Sequence, residues 1–330
     1  MPANLTPDYL AAEARFREAV TTEDKLAALD EMYATIPKHK GTEKMRADIK
    51  RRVSKLREKE KQSGKKGKRF DEFHIEKQGA GQIVLLGPPN TGRSMLLSRL
   101  TSAEPEIADY PYTTRSPMPG MMEFEDVSIQ LVDTPPMFGE HTEGGVISLA
   151  RNSDAVALIL DASENALLDQ IEEIRQETAK SRTVLAGARM PESDLPPAAA
   201  IKPTFIVANK IDLPGARDNL AVLEEFYSGE FDIRRVSART GDGLEDLRRS
   251  MFDLLGIIRV YTKIPGKPPD LGKPFTLRRQ STLMDFAGAI HKDFVHKLRF
   301  ARAWGKHHLD GAQIGRDHVL EDGDVVELHE

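Results

Sequence analysis

The sequence predicts an α/β protein: a three-layer unit with a mostly parallel sheet between helices, preceded by a helical arm and followed by a small α+β unit. Two observations carry the central unit. Between about Gly81 and Gly256, the apolar runs Ile83–Leu86, Val127–Val132, Ala155–Leu160, Thr204–Ala208 and Ile233–Ser237 are β-rich and unbroken by polar alternation, as strands buried on both faces are. Helical patterns around Gly92–Thr101, Asn165–Ala179, Arg217–Tyr227 and Leu244–Leu255 separate most of them. A third observation, the change of character on either side, sets the expected boundaries at 1–70, 71–257 and 258–330.

In the first segment, Leu10 and Ala14, then Leu26, Leu29, Met32, Tyr33 and Ile36, recur at helical spacing. From Thr42 to Lys61, Met45, Ile49, Val53 and Leu56 form one apolar stripe on an otherwise charged helix. Such a helix is too polar to stand alone in water, so its stripe is expected to dock. Gln62–Arg69 contains no apolar residue and reads as a flexible basic linker. After Ile258, Val260–Ile264, Phe275–Leu277, Phe300–Trp304 and Val325–Leu328 read as short strands around one helix, Thr282–Val295. Trp304 is expected to anchor that unit's core. The Pro- and Ala-rich stretch Ser181–Ile201 carries no assignable element.

Composition limits the function classes. The chain has 330 residues, 39% of them hydrophobic, which supports ordinary cores and excludes wholesale disorder. With 47 Lys and Arg against 52 Asp and Glu, the net charge of −5 does not mark the whole chain as a nucleic-acid binder. Residues 38–69, however, hold 15 basic and 4 acidic residues. That excess points to a phosphate-rich partner, ribosomal RNA or another structured RNA, with docking on the acidic remainder of the chain as the alternative. The absence of cysteine excludes disulfides, thiolate metal sites and a cysteine nucleophile. His291, His296, His307 and His308 share no spacing with carboxylates and read as ordinary surface histidines. No apolar run approaches the roughly 18–20 residues of a membrane span, and no signal-peptide core opens the chain, so a soluble, cytoplasmic protein with no membrane partner is expected.

The chemistry lies at the strand ends. Ile83–Leu86 runs into Gly87-Pro88-Pro89-Asn90-Thr91-Gly92-Arg93-Ser94 and then a helical pattern from Met95. In such a G-x-x-x-x-G-[KR]-[ST] loop, glycines let the backbone wrap a phosphate, the helix N-terminus faces the anion, and the Ser94 hydroxyl can bind Mg²⁺. Val132-Asp133-Thr134-Pro135-Pro136 ends the next parallel strand, where Asp133 can reach the same ion. Asn209-Lys210-Ile211-Asp212 follows a later strand, and Val236-Ser237-Ala238 the last. A carboxylate such as Asp212 accepts both guanine N1–H and N2–H, donors that adenine does not offer. The Asn209 amide can meet the purine edge, and the Lys210 stem can lie along the ring plane. A carboxylate left unpaired by the wrong base enforces selection. In this order the elements predict binding of GTP or GDP.

Together these residues resemble the five-motif set of P-loop GTPases. Ala108-Asp109-Tyr110-Pro111-Tyr112-Thr113-Thr114 is similar to the first switch of the Obg-related branch. Val260-Tyr261-Thr262-Lys263 with Gly266, Pro269-Asp270, Asp285-Phe286, Ile290-His291-Lys292, Ala303-Trp304-Gly305 and Asp317–Asp324 resemble the TGS domain, a ubiquitin-like β-grasp module, of the developmentally regulated GTP-binding (DRG) family. The basic helix and linker are similar to that family's amino-terminal region. The glycine-rich Obg domain has no counterpart. The module that eukaryotic members insert in the GTPase domain is missing or cut down, since only 47 residues separate Asp161 from Asn209. The resemblance implies a Mg²⁺-dependent GTP hydrolase acting as a switch. It implies association with the ribosome or structured RNA through residues 38–69 and the TGS domain, with an accessory protein as a further partner. Arg93, Ser94, Thr114 and Asp133 would form the catalytic set. Ser94, Asp133 and one of Thr113 and Thr114, with Thr114 preferred, would hold the metal.

Against the family pattern, Arg93 replaces the loop lysine, and Pro136 replaces the glycine of D-x-x-G and has no N–H for a γ-phosphate; where many other GTPases carry a water-orienting Gln, Met137 cannot orient water, and the Obg-related branch is apolar there too. These departures imply slow turnover, or a GTP-sensing scaffold that does not hydrolyse. Asn90 stands where potassium-activated GTPases coordinate K⁺, so K⁺ is a second cofactor candidate.

Overall fold

A computed structural model describes residues 7–18, 22–36, 42, 45–54, 73–103, 116–137, 142–191, 195–306 and 310–329. The chain forms two compact units, Met1–Asp71 and Glu72–Glu330. In the first, α1 (Pro7–Glu18), α2 (Thr22–Thr35) and α3 (45–54) share a small core of Tyr9, Ala12, Leu29, Met32, Ile36 and Ile49. Met45 and Val53 pack against it, so the basic helix docks its stripe on the helices that precede it. Lys50, Arg51 and Arg52 face solvent, as does Ala14. Leu56 and the linker Gln62–Arg69 lie outside the described residues.

The second unit opens with β1 (Gln82–Leu86), α4 (Arg93–Leu100), β2 (Met118–Phe124), β3 (Val127–Asp133), α5 (Gly144–Asn152), β4 (Ala155–Asp161) and α6 (Leu167–Lys180). It continues with β5 (Thr183–Ala186), β6 (Ala200–Asn209), α7 (Ala216–Tyr227), β7 (Ile233–Arg235) and α8 (Leu244–Leu254). The sheet order is β2-β3-β1-β4-β6-β5, with β7 also paired to β6. Every pairing but β2–β3 is parallel. Successive residues point to opposite faces, and both faces are dry. Val84, Leu86, Val156, Leu158, Leu160 and Ile206 pack on α5, α6 and α7, whereas Ile83, Leu85, Ala157, Ile159, Phe205 and Val207 pack on α4 and α8. This is the expected three-layer arrangement.

Three elements depart from the sequence reading for physical reasons. β2 was not legible because Pro119 and Gly120 interrupt it. It tolerates them as an edge strand turned back through Glu125-Asp126. α5 opens on two glycines, which hide its helical pattern. Within Ser181–Ile201, β5 pairs with the first half of β6 while β7 pairs with the second half, so two short strands share one edge.

The chain then forms β8 (Ile257–Lys263), β9 (Pro269–Arg278), α9 (Leu283–Ile290), α10 (Lys292–Lys297), β10 (Phe300–Trp304), β11 (Ala312–Ile314) and β12 (Asp324–His329). Its sheet order, β11-β10-β12-β8-β9, has β12 parallel to β8 and all other neighbours antiparallel, the β-grasp topology. Thr282 caps α9 by exchanging hydrogen bonds with Asp285. The single helix expected over Thr282–Val295 is broken at His291, whose extended backbone ends α9 and whose Nδ1 accepts the Asp293 N–H to start α10. Phe286, Leu283, Val260, Ala301 and Val326 fill the core. Trp304 is not among them. It is only half-buried, with the Lys263 ammonium 4.5 Å from its ring centroid, because β10 puts Ala301 and Ala303 inward and Trp304 on the other face.

This sheet is fastened to the first by Arg259. Its guanidinium bonds Asp126 at 2.9 Å and Asp322 at 2.8 Å, reaches Glu125, and lies over the Phe252 ring, while the Tyr261 hydroxyl donates to Asp126. Among the described residues no helix is long and apolar enough to cross a membrane.

Candidate functional site

Because β1, β3, β4, β6 and β7 run parallel, their carboxyl ends open on one rim of the sheet. Leu85 pairs with Asp133, Leu86 with Leu158, and Asp161 with Asn209. Every described motif residue therefore meets there. From β1 the chain passes Gly87–Thr91 and enters α4 through Gly92, the helix N-cap, at φ 86°. This left-handed turn starts α4 at the rim, where a helix N-terminus favours an anion.

Gly87 is a junction: its carbonyl accepts the Met137 N–H at 3.0 Å and a guanidinium N–H of Arg93. Arg93 is 7% exposed, and its Nε lies 3.7 Å from the carboxylate of Asp133, which is 1% exposed. Burial pushes the Arg93 pKa down, and the neighbouring carboxylate opposes the shift. The guanidinium thus occupies the floor of the loop. Pro136 is half-buried, Met137 is turned into the core at 3% exposure, and Thr134 is tied to the Leu85 carbonyl at 2.9 Å.

The Ser94 hydroxyl donates to the Asp133 carboxylate at 2.5 Å. One hydroxyl and one buried carboxylate at a loop built for phosphates are hard oxygen donors that suit Mg²⁺, an ion usually held by few protein ligands plus phosphate and water. No group of three His, Cys, Asp or Glu suited to a metal occurs among the described residues. Thr113 and Thr114 lie outside the described residues. Asn90 is described and adopts φ 61°, and Met95 follows Ser94 in the first turn of α4.

The residues expected to read the base are cross-braced. Asn209, 1% exposed, donates from Nδ2 to the Thr91 carbonyl at 2.8 Å and accepts the Ala238 N–H at 3.0 Å. Its amide therefore ties the phosphate loop to the Ser237-Ala238 turn, leaving one Nδ2 hydrogen for a ligand. Asp212 accepts the Ser237 hydroxyl at 2.5 Å and an N–H of Arg239. The Ser237 hydrogen bond is the main cause that holds the Asp212 carboxyl below its ordinary pKa, so it is ionised and purely an acceptor near neutrality.

Sequence reasoning missed two residues here. Arg239 follows Ala238 and pairs with Asp212. Asp161, at the end of β4, meets the Lys210 ammonium at 2.6 Å. The available signal for Asp161 was an acidic residue closing a buried parallel strand, the same pattern that singled out Asp133.

Comparison with known proteins agrees with this geometry. Residues 82–188 match the 50S ribosome-binding GTPase family, and residues 258–330 match the TGS domain. An uncharacterized GTP-binding protein of Methanocaldococcus jannaschii is 28% identical, covering 93% of this chain and 92% of its own. Developmentally-regulated G-protein 1 of Arabidopsis thaliana is 27% identical over 92% of this chain and 90% of its own. Ribosome-interacting GTPase 1 of Saccharomyces cerevisiae is 26% identical over 93% and 99% respectively. A GTP-binding protein from Pyrococcus horikoshii has the same fold, with a TM-score of 0.50 and 17% identity over 76% of this chain and 99% of that one. A glycine-rich loop and the Asn209–Asp212 and Ser237-Ala238 turns on one rim, a β-grasp sheet after them, and relatives matched over nearly their whole length lead to one assignment: the chain is a P-loop GTPase with a carboxyl-terminal TGS domain, similar over most of its length to the developmentally regulated GTP-binding proteins.

Proposed function

We propose that this protein is a slow guanine-nucleotide switch, made of a basic arm (1–70), a GTPase domain (71–257) and a TGS domain (258–330), that works on the ribosome or another structured RNA. The observation that carries the reading is the convergence of Gly87–Ser94, Asp133, Asn209–Asp212 and Ser237-Ala238 on one rim, with Asp212 ionised and Gly92 shaped for a phosphate. The α4 N-terminus, the loop N–H groups and Arg93 would bind the phosphates, with Asp212 selecting guanine. Ser94, Asp133 and one of Thr113 and Thr114 would hold Mg²⁺, which when bound offsets negative charge on the β- and γ-phosphates. A K⁺ ion beside Asn90 would add to that charge. The exposed Lys50, Arg51 and Arg52 support an RNA-facing arm, and the relative named a ribosome-interacting GTPase supports the ribosome as the target.

Turnover is expected to be slow because Pro136 offers no N–H, the Met137 N–H is engaged by Gly87, and Met137 is buried away from any attacking water. The same three features favour a second reading, a GTP sensor that does not hydrolyse. Calorimetric titration with GTP, GDP and ATP, with and without Mg²⁺, tests the common part: guanine nucleotides should bind and ATP should not. Equal affinity for ATP would overturn it. Multiple-turnover phosphate release with and without ribosomes separates the two readings, since the switch requires release that ribosomes accelerate. Ribosome binding itself should weaken by orders of magnitude between roughly 50 and 200 mM salt if the basic arm carries it.

A further inference from the structure

We infer that Asp161 is a positioning residue for the guanine base: its carboxylate holds the Lys210 ammonium so that the lysine stem is laid out along the ring plane before nucleotide arrives. The inference rests on the proposed guanine-nucleotide reading and deepens it.

The carboxylate is built to be a fixed acceptor. Asp161 ends β4, is 6% exposed, and lies directly across from Asn209 in the β4–β6 register. One oxygen, Oδ1, accepts the backbone N–H of Ser163 at 2.9 Å and its hydroxyl at 2.7 Å. The other, Oδ2, takes the Lys210 ammonium at 2.6 Å. The turn around it is braced as well. The Ala162 N–H donates to the Asn209 carbonyl at 2.8 Å, and Asn219 of α7 donates to the carbonyls of Ala162 and Glu164, both at 3.0 Å. Nothing in a solvated surface pair demands three such supports.

At the other end, Lys210 leaves β6 in the left-handed region, at φ 62°. Its Cε stands 4.0 Å from where a Cβ on Gly92 would be, so the stem passes beside the phosphate loop while its tip is pinned at Asp161. A lysine side chain has four rotatable bonds and loses much rotamer freedom when a ligand orders it. Ordering it beforehand removes that cost from binding. Without Asp161 the ammonium is free to sweep into solvent, and each binding event must gather it in. The carboxylate does not read the base, since Asp212 does that; it sets where the lysine stem lies.

The test is a double-mutant cycle read as GDP affinity on the full chain. Asp161→Asn keeps the shape and an acceptor for both Ser163 donors while removing the charge. It should weaken GDP binding roughly three- to tenfold, the span for ordering one long side chain on binding. The preference for GDP over ADP should not change. Lys210→Met should weaken GDP binding at least as much, and the double variant no more than Lys210→Met alone, because Asp161 acts through Lys210. Additive losses, or wild-type affinity in Asp161→Asn, overturn the inference while leaving the guanine reading intact. Failure of the unmodified chain to bind GDP removes both. If Asp161→Asn does not fold, Ser163→Ala loosens the carboxylate without deleting it, removing the hydroxyl donor and keeping the backbone N–H. A smaller loss in the same direction then supports the inference, and unchanged affinity overturns it.

Discussion

Asp212→Asn is expected to lower GDP affinity by roughly 10²–10³-fold and to raise affinity for xanthosine diphosphate. The size follows from the hydrogen bonds at stake. Guanine presents two donors on one edge, N1–H and the 2-amino group, and the ionised carboxylate accepts both. Bonds to a charged group contribute about 1.5–3 kcal/mol each, and replacing one acceptor oxygen by an NH₂ sets donor against donor. A loss of about 3–4 kcal/mol corresponds to the stated fold-change. Xanthine replaces the 2-amino donor with a carbonyl, so a carboxamide matches it and a carboxylate does not. The fold should survive, because Ser237 donates to Asp212 and can donate equally to an amide oxygen. The Arg239 side chain is 67% exposed, so losing its ion pair with Asp212 costs little. Competition titration with GDP and xanthosine diphosphate checks both halves. A variant that keeps GDP affinity within a few-fold would show that Asp212 does not read the base.

What could be read in the sequence was what lies close together along the chain. β1, β4 and β6 were legible because strands buried on both faces need continuous apolar runs, and 83–86, 155–160 and 204–208 supply them. The phosphate loop and the Asn209–Asp212 tetrad were legible for the same reason: each is contiguous, and its residue types follow from its chemistry. β2 was not, since Pro119 and Gly120 are permitted only by its edge position, which is a property of the finished sheet. The break at His291 depends on a cap two residues away that competes with helical periodicity on both sides. Trp304 was assigned to the wrong face because its hydrophobicity says nothing about register, and the β10 alternation decides it. Least legible were the braces of the site, Asn209 to Thr91 and Lys210 to Asp161, which join residues 118 and 49 positions apart. No local pattern encodes such a pair; it exists only once parallel strands bring their ends to one rim.

Gly92→Ala should abolish measurable nucleotide binding at micromolar concentration and lower the thermal midpoint by several degrees. Two costs add. At φ 86° an alanine is in the left-handed region, which costs roughly 1–2 kcal/mol. Its Cβ would also stand 2.5 Å from Nδ2 of Asn209, too close for any real contact. That amide cannot step aside, because it is buried and held at both ends by the Thr91 carbonyl and the Ala238 N–H. Either the loop shifts, which displaces the N–H groups facing the phosphates, or the amide shifts, which breaks two buried hydrogen bonds at about 1 kcal/mol each or more. The sum is roughly 3–5 kcal/mol, and both routes damage the same pocket. The same exchange at Gly288 is the control. That glycine lies in α9, and its nearest neighbour to a new Cβ is Val295 at 3.6 Å, an ordinary contact. There alanine should be neutral or stabilise by up to about 1 kcal/mol, since it is the better helix former. If Gly92→Ala bound GDP like the unmodified chain, the turn would merely join a strand to a helix, and the phosphates would have to be held elsewhere.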